Sequence, residues 1–172
     1  CALYADPEVR RYFPEGTLTR EQTWEELEFH MHGDRRDARL GLWATILKEN
    51  GRFIGRCGLL PWVIDGHAEI EIAYMIAKEY WRQGLGSALA GLLVEMAVDE
   101  DADKLVVQVV ERQVAALQVF RKLGFQPEAV LRRHVKDVSG TRRDLLVLAN
   151  DLSHAWVAME ALIADIPPEA HL

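Results

Sequence analysis

The 172-residue chain has few cysteines, no long apolar run and no excess of positive charge. Cys1 and Cys57 are too few for a disulfide framework or a metal cluster, and no apolar run approaches the roughly 18 residues of a membrane-spanning helix. With no signal peptide in the sequence, we expect a cytoplasmic protein without a metal or a membrane partner. The formal net charge of −7 disfavours nucleic acid, which needs clustered Lys and Arg, and favours an amine-bearing or basic partner.

The length predicts a single domain over residues 1–172. The opening CALYADPEVRRYF reads as a helix with no Met before it, so we expect an N-terminal strand to precede it in the natural protein. Residues 153–172 predict a C-terminal helical extension that is acidic and amphipathic. Its stripe of Trp156, Met159 and Leu162 predicts packing on the domain or on a second copy in a homodimer.

Turn signals organise the first half of the chain. Thr19 and Gln22 match a capping box that begins a helix through His32. Asn50-Gly51 and Asp65-Gly66 separate three strand-like segments, LGLWATILK, RFIGRCGLL and HAEIEIAYMI. These segments predict an antiparallel meander.

The second half alternates helices and strands. Leucines at helical intervals predict a helix over 85–99, and KLVVQVV follows as a buried strand. A second helix runs from Val114 and stops at Gly124, and a hairpin around Ser139-Gly140 closes the pattern. The order predicts a mixed α+β domain around one twisted sheet.

Two glycines, Gly84 and Gly86, lie where a strand turns into a helix in EYWRQGLGSALAGLL. Bare amides at the start of a helix bind anions, and a left-handed backbone at these positions would favour glycine. The spacing alone fits a phosphate site or merely a tight turn. It matches neither a P-loop, which needs Gly-Lys-Ser/Thr, nor a dinucleotide fold, which needs a βαβ start.

The segment RQGLGSAL after EIAYMIAKEY, with AALQVFRKLGF further on, resembles the GNAT superfamily of acyl-CoA-dependent N-acyltransferases, and is most similar to its RimJ/RimL branch. The resemblance extends from about Pro7 to Asp151, through DPEVRRYF and VLRRHVKDVSGTRRDLLVL. It implies a GNAT-like fold, a central, mostly antiparallel sheet with splayed strands flanked by helices, and acetyl-CoA as acyl donor.

The resemblance also implies the residues that hold the donor. The backbone after the strand would cradle the pyrophosphate, and the end of the strand would pair with the pantetheine arm. The pyrophosphate residues are Arg82, Gln83, Gly84, Leu85, Gly86 and Ser87. The pantetheine residues are Tyr74, Met75 and Ile76.

The implied reaction needs a base, because a neutral amine must attack a thioester. At neutral pH a lysine amine costs about 4–5 kcal/mol to deprotonate and an α-amine about 1 kcal/mol. Strand alternation puts Glu69 and Glu71 on one face. Family members carry a Glu at the position of Glu71, which would act directly or through water. Both carboxylates would also suit the solvent-exposed face of an outer strand, without a catalytic role.

Other positions depart from the family pattern. Phe120 replaces a Tyr that protonates the leaving thiolate, and Ala116 replaces the Ser of RimJ/RimL enzymes. Gln108 stands where the RimI branch has a Glu, and Gln113 where it has an Asn that contacts CoA. Gln113 keeps a donor for CoA, whereas Gln108 accepts no proton.

We predict an N-acetyltransferase that moves an acetyl group from acetyl-CoA to a primary amine by direct transfer. The acceptor is a protein N-terminus or a small amine, and the sequence does not choose between them. The alternative is a non-catalytic acyl-CoA-binding or interaction module with a degenerate acid and base.

Overall fold

The computed structural model describes residues 2–31, 40–64, 67–99 and 102–152. The predicted turn at Asp65-Gly66 and the predicted C-terminal helix lie outside these residues, as does His32. The helices are α1 (Ala2–Ala5), α2 (Arg20–Met31), α3 (Leu85–Asp99) and α4 (Val114–Lys122). The strands are β1 (Gly41–Leu47), β2 (Arg52–Ile64), β3 (His67–Ile76), β4 (Lys104–Val110), β5 (Gln126–Lys136) and β6 (Arg142–Asp151).

The strands form one six-stranded sheet in the order β1-β2-β3-β4-β6-β5. β1, β2 and β3 make the predicted antiparallel meander, and β4, β6 and β5 make a second antiparallel group. β3 and β4 pair in parallel. The sheet is therefore mostly antiparallel, and the predicted α+β fold is confirmed.

The N-terminal segment contains less helix than its sequence predicts. α1 ends at Ala5, and the Asp6 carboxylate accepts the N–H of Glu8 at 2.8 Å in a turn. Pro7 explains the early end, because the residue before a proline is disfavoured in helical conformation. The capping box is confirmed, since Thr19 N–H donates to Gln22 Oε1 at 2.9 Å and Gln22 N–H donates to Thr19 Oγ1 at 3.2 Å.

Both predicted hairpins form with a left-handed glycine in the turn. Gly51 has φ of 70° and donates its N–H to Leu47 O at 2.9 Å, and Gly140 has φ of 77°. α4 ends as predicted at Gly124, with φ of 89°. The side-chain amide of Asn150 on β6 donates to the Leu123 carbonyl at 3.0 Å and so ties this helix end to the sheet.

The main core lies between the sheet and the helices α3 and α4. Buried members of this core include Leu59, Ile72, Leu93, Leu105, Phe120 and Leu148. Cys57 also belongs to it. A smaller cluster of Leu3, Tyr4 and Met75 joins α1 to the opposite face of β3. The two faces of β3 thus carry different layers.

Candidate active site

A cleft opens where β3 and β4 diverge. The two strands are in register only at Ile70 with Leu105 and at Glu71 with Val106. Beyond these pairs they separate around a cleft of about 650 Å³, which α4, the β5–β6 hairpin and residues 12–14 also line. The separation is the splayed arrangement that the resemblance implied. An extended ligand can enter there, between two strands that no longer bond to each other.

Glu71 lies in this cleft at the last register pair before the strands separate. β2 and β3 pair without a register shift, so side chains alternate regularly and Glu71 shares a face with Met75. Burial raises the pKa of Glu71 by more than hydrogen bonding from the Gln108 side chain on β4 lowers it. The site therefore holds a carboxylate more basic than an exposed one.

Glu69 has a different environment, although it is on the same face. Its carboxylate is 3.8 Å from Lys104 Nζ, which also lies 2.7 Å from Glu128 Oε1. Glu69 does not line the cleft, whereas Glu71 does. Of the two predicted base candidates, the geometry favours Glu71.

The glycine turn presents open amides at the start of α3. The first helical bond runs from Ala88 N–H to Gly84 O at 3.0 Å, so the N–H groups of Leu85, Gly86 and Ser87 have no helical acceptor. Gly84 is left-handed with φ of 81°, as expected. Gly86 is not, because it already lies in the helix; the second left-handed residue is Arg82, with φ of 60°. The expectation of a left-handed Gly86 was wrong.

Side chains fix this turn to β3. The Trp81 indole N–H donates to the Ile76 carbonyl at 2.7 Å, and Gln83 Nε2 donates to the Glu79 carbonyl at 2.8 Å. Trp81 therefore closes the end of the strand. One N–H of the Gln83 side-chain amide is therefore engaged within the turn.

At the end of β3, the three predicted pantetheine residues, Tyr74 to Ile76, do not all have free backbone N–H and C=O groups. Ala77 N–H donates to Ile54 O at 2.8 Å. Counting back from Ala77, every second residue of β3 therefore directs its N–H and C=O groups to β2. The backbone of Met75 points to β2, and that of Tyr74 and Ile76 points to the cleft side. The Ile76 carbonyl already accepts from Trp81. Since β3 pairs with β4 only at Ile70 and Glu71, the N–H and C=O of Tyr74 have no strand partner on that side.

The α4 wall contains the residues that departed from the family pattern. Gln113 accepts the Val110 N–H on Oε1 at 2.8 Å, which leaves its amide nitrogen as a donor. Phe120 is buried, with its ring centroid 5.9 Å from that of Tyr74. Burial raises the pKa of Tyr74. Its hydroxyl stays protonated at neutral pH and lies 3.8 Å from where a Cβ would stand on Gly86.

A family model described as an acetyltransferase (GNAT) domain matches residues 1–126. The chain belongs to the GNAT family of acetyltransferases. The family name agrees with the fold and with the recognition made from the glycine turn.

Similar proteins and solved structures cover most of this GNAT chain. An uncharacterised Bacillus subtilis protein, YkkB, is 25% identical over 138 residues, covering 80% of this chain and 79% of its own length. Spermidine N-acetyltransferase from Vibrio cholerae, solved with CoA and spermine, superposes with a TM-score of 0.72 at 18% identity, covering 88% of this chain and 86% of its own. A Brucella melitensis ribosomal-protein-alanine N-acetyltransferase gives 0.69 at 21% identity, covering 87% and 90%. These structures share the fold.

Sequence reasoning missed three residues of the β5–β6 hairpin that line the cleft of this GNAT fold: His134, Lys136 and Arg142. It also missed Tyr12 and Phe13, which line the cleft from the N-terminal segment. The run LRRHVK was the available signal, but its basic character also suits an exposed strand face.

A bulge in β5 explains why the cleft residues of this hairpin were missed. The register shifts between Leu131, opposite Leu145, and Val135, opposite Arg143. Inside the bulge Arg133 has φ of 53° and donates its N–H to Asp144 Oδ1 at 2.7 Å. An irregular stretch of this kind cannot be read from alternation.

The described residues were compared with what a metal site and a membrane-spanning helix require. No three His, Cys, Asp or Glu side chains come together there as a metal site. None of the helices in the same ranges has the length and apolar character needed to cross a membrane. The Nε2 atom of His30 lies 3.4 Å from Glu26 Oε1 and 3.3 Å from Arg56 Nη1, so this ring contacts an acidic and a basic side chain.

Proposed function

We propose that this GNAT acetyltransferase moves an acetyl group from acetyl-CoA to a primary amine, with Glu71 as general base, in the manner of the RimJ/RimL branch. The observation that carries the proposal is the position of Glu71. It is half-buried at the fork of β3 and β4, in a cleft whose wall at Tyr74 adjoins the open start of α3. One extended ligand could therefore contact both the base, Glu71, and the anion-binding turn at the start of α3.

The donor end fits a coenzyme diphosphate. Open amides of Leu85, Gly86 and Ser87, with the backbone of Arg82, Gln83 and Gly84, would hold the phosphate oxygens. No Cβ stands over Gly84, and a Cβ added to it would meet nothing within 4 Å, so the turn is open to a ligand. Nearer the fork, the Tyr74 backbone and the Gln113 amide would bond the pantetheine arm.

Glu71 removes the proton that prevents attack. The acceptor nitrogen forms a bond to the acetyl carbonyl carbon, the carbon–sulfur bond breaks, and the proton on nitrogen passes to Glu71 directly or through water. A carboxylate whose pKa is raised by burial accepts that proton more readily. Because an alkyl thiol has a pKa of about 8.5, the departing thiolate can take its proton from water without a donor at Phe120 or Ala116.

The experiment is a turnover assay with acetyl-CoA and a panel of peptides and small amines. We expect release of the CoA thiol together with an acetylated amine identified by mass spectrometry. Tight acetyl-CoA binding with no acetylated product across the panel would favour the non-catalytic module instead. Failure to bind acetyl-CoA would remove the donor-site assignment.

We further propose a single domain that works in the cytoplasm, where the unpaired, buried Cys57 would stay reduced. The homodimer stays a prediction, since the stripe that suggested it lies outside the described residues.

A further inference from the structure

The charged groups that line the cleft are mostly cationic. Glu71 lines it and is half-buried, whereas Arg56, Lys136 and Arg142 contribute positive charge to its walls. Glu71 is the single Asp or Glu among the described lining residues. The local balance is thus opposite to that of the whole chain, with its net charge of −7.

Arg56 is already engaged. Its Nη2 lies 3.9 Å from Glu26 Oε1, its Nη1 lies 3.3 Å from His30 Nε2, and its guanidinium lies over the Tyr4 ring at 5.3 Å. These contacts direct Arg56 to α2 and α1. The remaining unneutralised charge belongs to the hairpin.

Lys136 and Arg142 are direct register partners on β5 and β6. Their neighbours use the available carboxylates: Arg143 lies 2.9 Å from Asp137, and Arg132 lies 3.8 Å from Asp144. Neither Lys136 nor Arg142 forms an ion pair with any residue in the described ranges. Like charges opposed across two strands are unfavourable on their own, so the pair is suited to an anion between them.

Arg142 is held in place for such contact. Its Nη1 donates to the Arg133 carbonyl in the β5 bulge at 2.9 Å, and the Arg133 N–H is bonded to Asp144. The bulge therefore positions the guanidinium at the cleft. A planar guanidinium with further free N–H donors matches the two oxygens of a carboxylate.

The pair lies apart from the open amides of α3. The hairpin approaches the N-terminal segment, where Val138 N–H donates to Arg11 O at 3.3 Å, and residues 12–14 line the same cleft. The open amides adjoin Tyr74 and Ile76 instead. The cations therefore face the acceptor rather than the diphosphate.

We propose that the acceptor is an amine that also carries a carboxylate, which Lys136 and Arg142 bind while Glu71 takes the amine proton. This inference rests on the proposed acetyltransferase function. It favours amino-acid-like acceptors and disfavours polyamines, whose extra cations would face this pair. Screening over about 8 Å at physiological salt explains why cations lining the cleft outweigh the distant acidic surface.

The test compares matched molecules that differ only in the carboxylate. Calorimetry in the presence of CoA measures the binding of N-acetylated amino acids and of their carboxamides to the parent protein. We expect the acid to bind at least tenfold more tightly than the amide. In Lys136→Gln/Arg142→Gln this ratio should fall to near one, while Lys48→Gln/Arg52→Gln, a matched exposed pair on the β1–β2 hairpin, should keep the parental ratio.

Turnover supplies the second readout. In the parent, kcat/KM for amino acids should exceed that for their amides and for spermidine at least tenfold. Equal binding of acid and amide, an unchanged ratio in the double variant, or a preference for spermidine would each overturn the inference. So would a loss of acetyl-CoA affinity in the double variant, because the pair would then belong to the donor. Selective acid binding without any turnover would support the carboxylate site and contradict the proposed enzyme.

Discussion

Glu71 combines a cost in stability with a gain in basicity. Burial raises its pKa above the ordinary value of 4.5. A group with a raised folded pKa favours the folded state most below its unfolded pKa, and this advantage is lost as pH rises through the folded pKa. At neutral pH the protein therefore carries a half-buried charge that disfavours folding. The same charge is the form that accepts a proton from an amine.

Glu71→Gln tests this opposition at one residue. We expect kcat/KM to fall by about 10²–10⁴, because the amide cannot accept the proton. The acidic limb of the parental pH–rate profile, which we expect above pH 4.5 because burial raises the pKa of Glu71, should disappear. The melting temperature at pH 7 should not fall, since the variant removes a charge whose partial burial disfavours folding.

Glu69→Gln is the matched control, because it makes the same change on the same face outside the cleft. Its rate should stay near the parental value. Equal rates for all three proteins would assign proton removal to water or to another group.

The start of α3 makes a prediction at the scale of an element. A Cβ on Gly86 would lie 3.8 Å from the Tyr74 hydroxyl, an ordinary contact, so Gly86→Asp should fold. An acidic residue in the first turn of a helix is even favourable. It would, however, repel a diphosphate at the open amides. We expect the acetyl-CoA Kd from calorimetry to rise at least tenfold, about 1.4 kcal/mol.

Gly91→Asp provides the control on the same helix. A Cβ there would meet nothing within 4 Å, and the added charge is the same. Its affinity should remain parental. A parental Kd in Gly86→Asp would show that the diphosphate lies elsewhere.

The β5–β6 turn makes a second prediction at this scale. The Asp137 carboxylate accepts the Ser139 hydroxyl at 2.6 Å, the Arg143 Nε–H at 2.9 Å and the backbone N–H groups of Ser139 and Thr141 at 3.0 Å. The Ser139 bond is the largest cause that lowers the pKa of Asp137, to about 2. A lowered folded pKa gives stability above the unfolded value of 3.8 that is lost as pH falls towards 2.

Asp137→Asn should therefore melt at a lower temperature than the parent at pH 6, and the difference should shrink as pH falls from 4 to about 2. Glu111→Gln, which removes an exposed carboxylate before α4, should show no such convergence. A constant difference between Asp137→Asn and the parent across this range would contradict the role of the charge.

The elements were predictable where one periodicity persists over many residues. α3 follows its leucines, β4 follows KLVVQVV, and the capping box at Thr19 fixed the start of α2. The β5 bulge was not predictable, because it depends on Asp144, eleven residues beyond Arg133 along the chain, accepting a backbone N–H. The short α1 and the helical Gly86 were misjudged for a related reason: a motif locates a turn without giving its dihedral angles.

At the scale of the molecule, the resemblance supplied what periodicity could not. Nothing in β3 or β4 taken singly states that they part after Glu71, yet the family pattern implied it. Neither the resemblance nor the periodicity predicted the charges that line the cleft. Net charge averages over a whole surface, and Lys136 and Arg142 become neighbours only through strand pairing.

The parting of β3 and β4 leaves two antiparallel groups of strands in register at only two residue pairs. A coenzyme bound in the gap would contact both groups and bind the folded state alone. Acetyl-CoA at about 100 times its Kd should therefore stabilise folding by about 2.7 kcal/mol, or about 5–10 °C in melting temperature. Amide exchange at Tyr74 should slow, because its N–H would gain an acceptor. Gly86→Asp, with a Kd at least tenfold higher, should gain no more than about 1.4 kcal/mol at the same concentration, and equal stabilisation of both proteins would contradict binding between the strands.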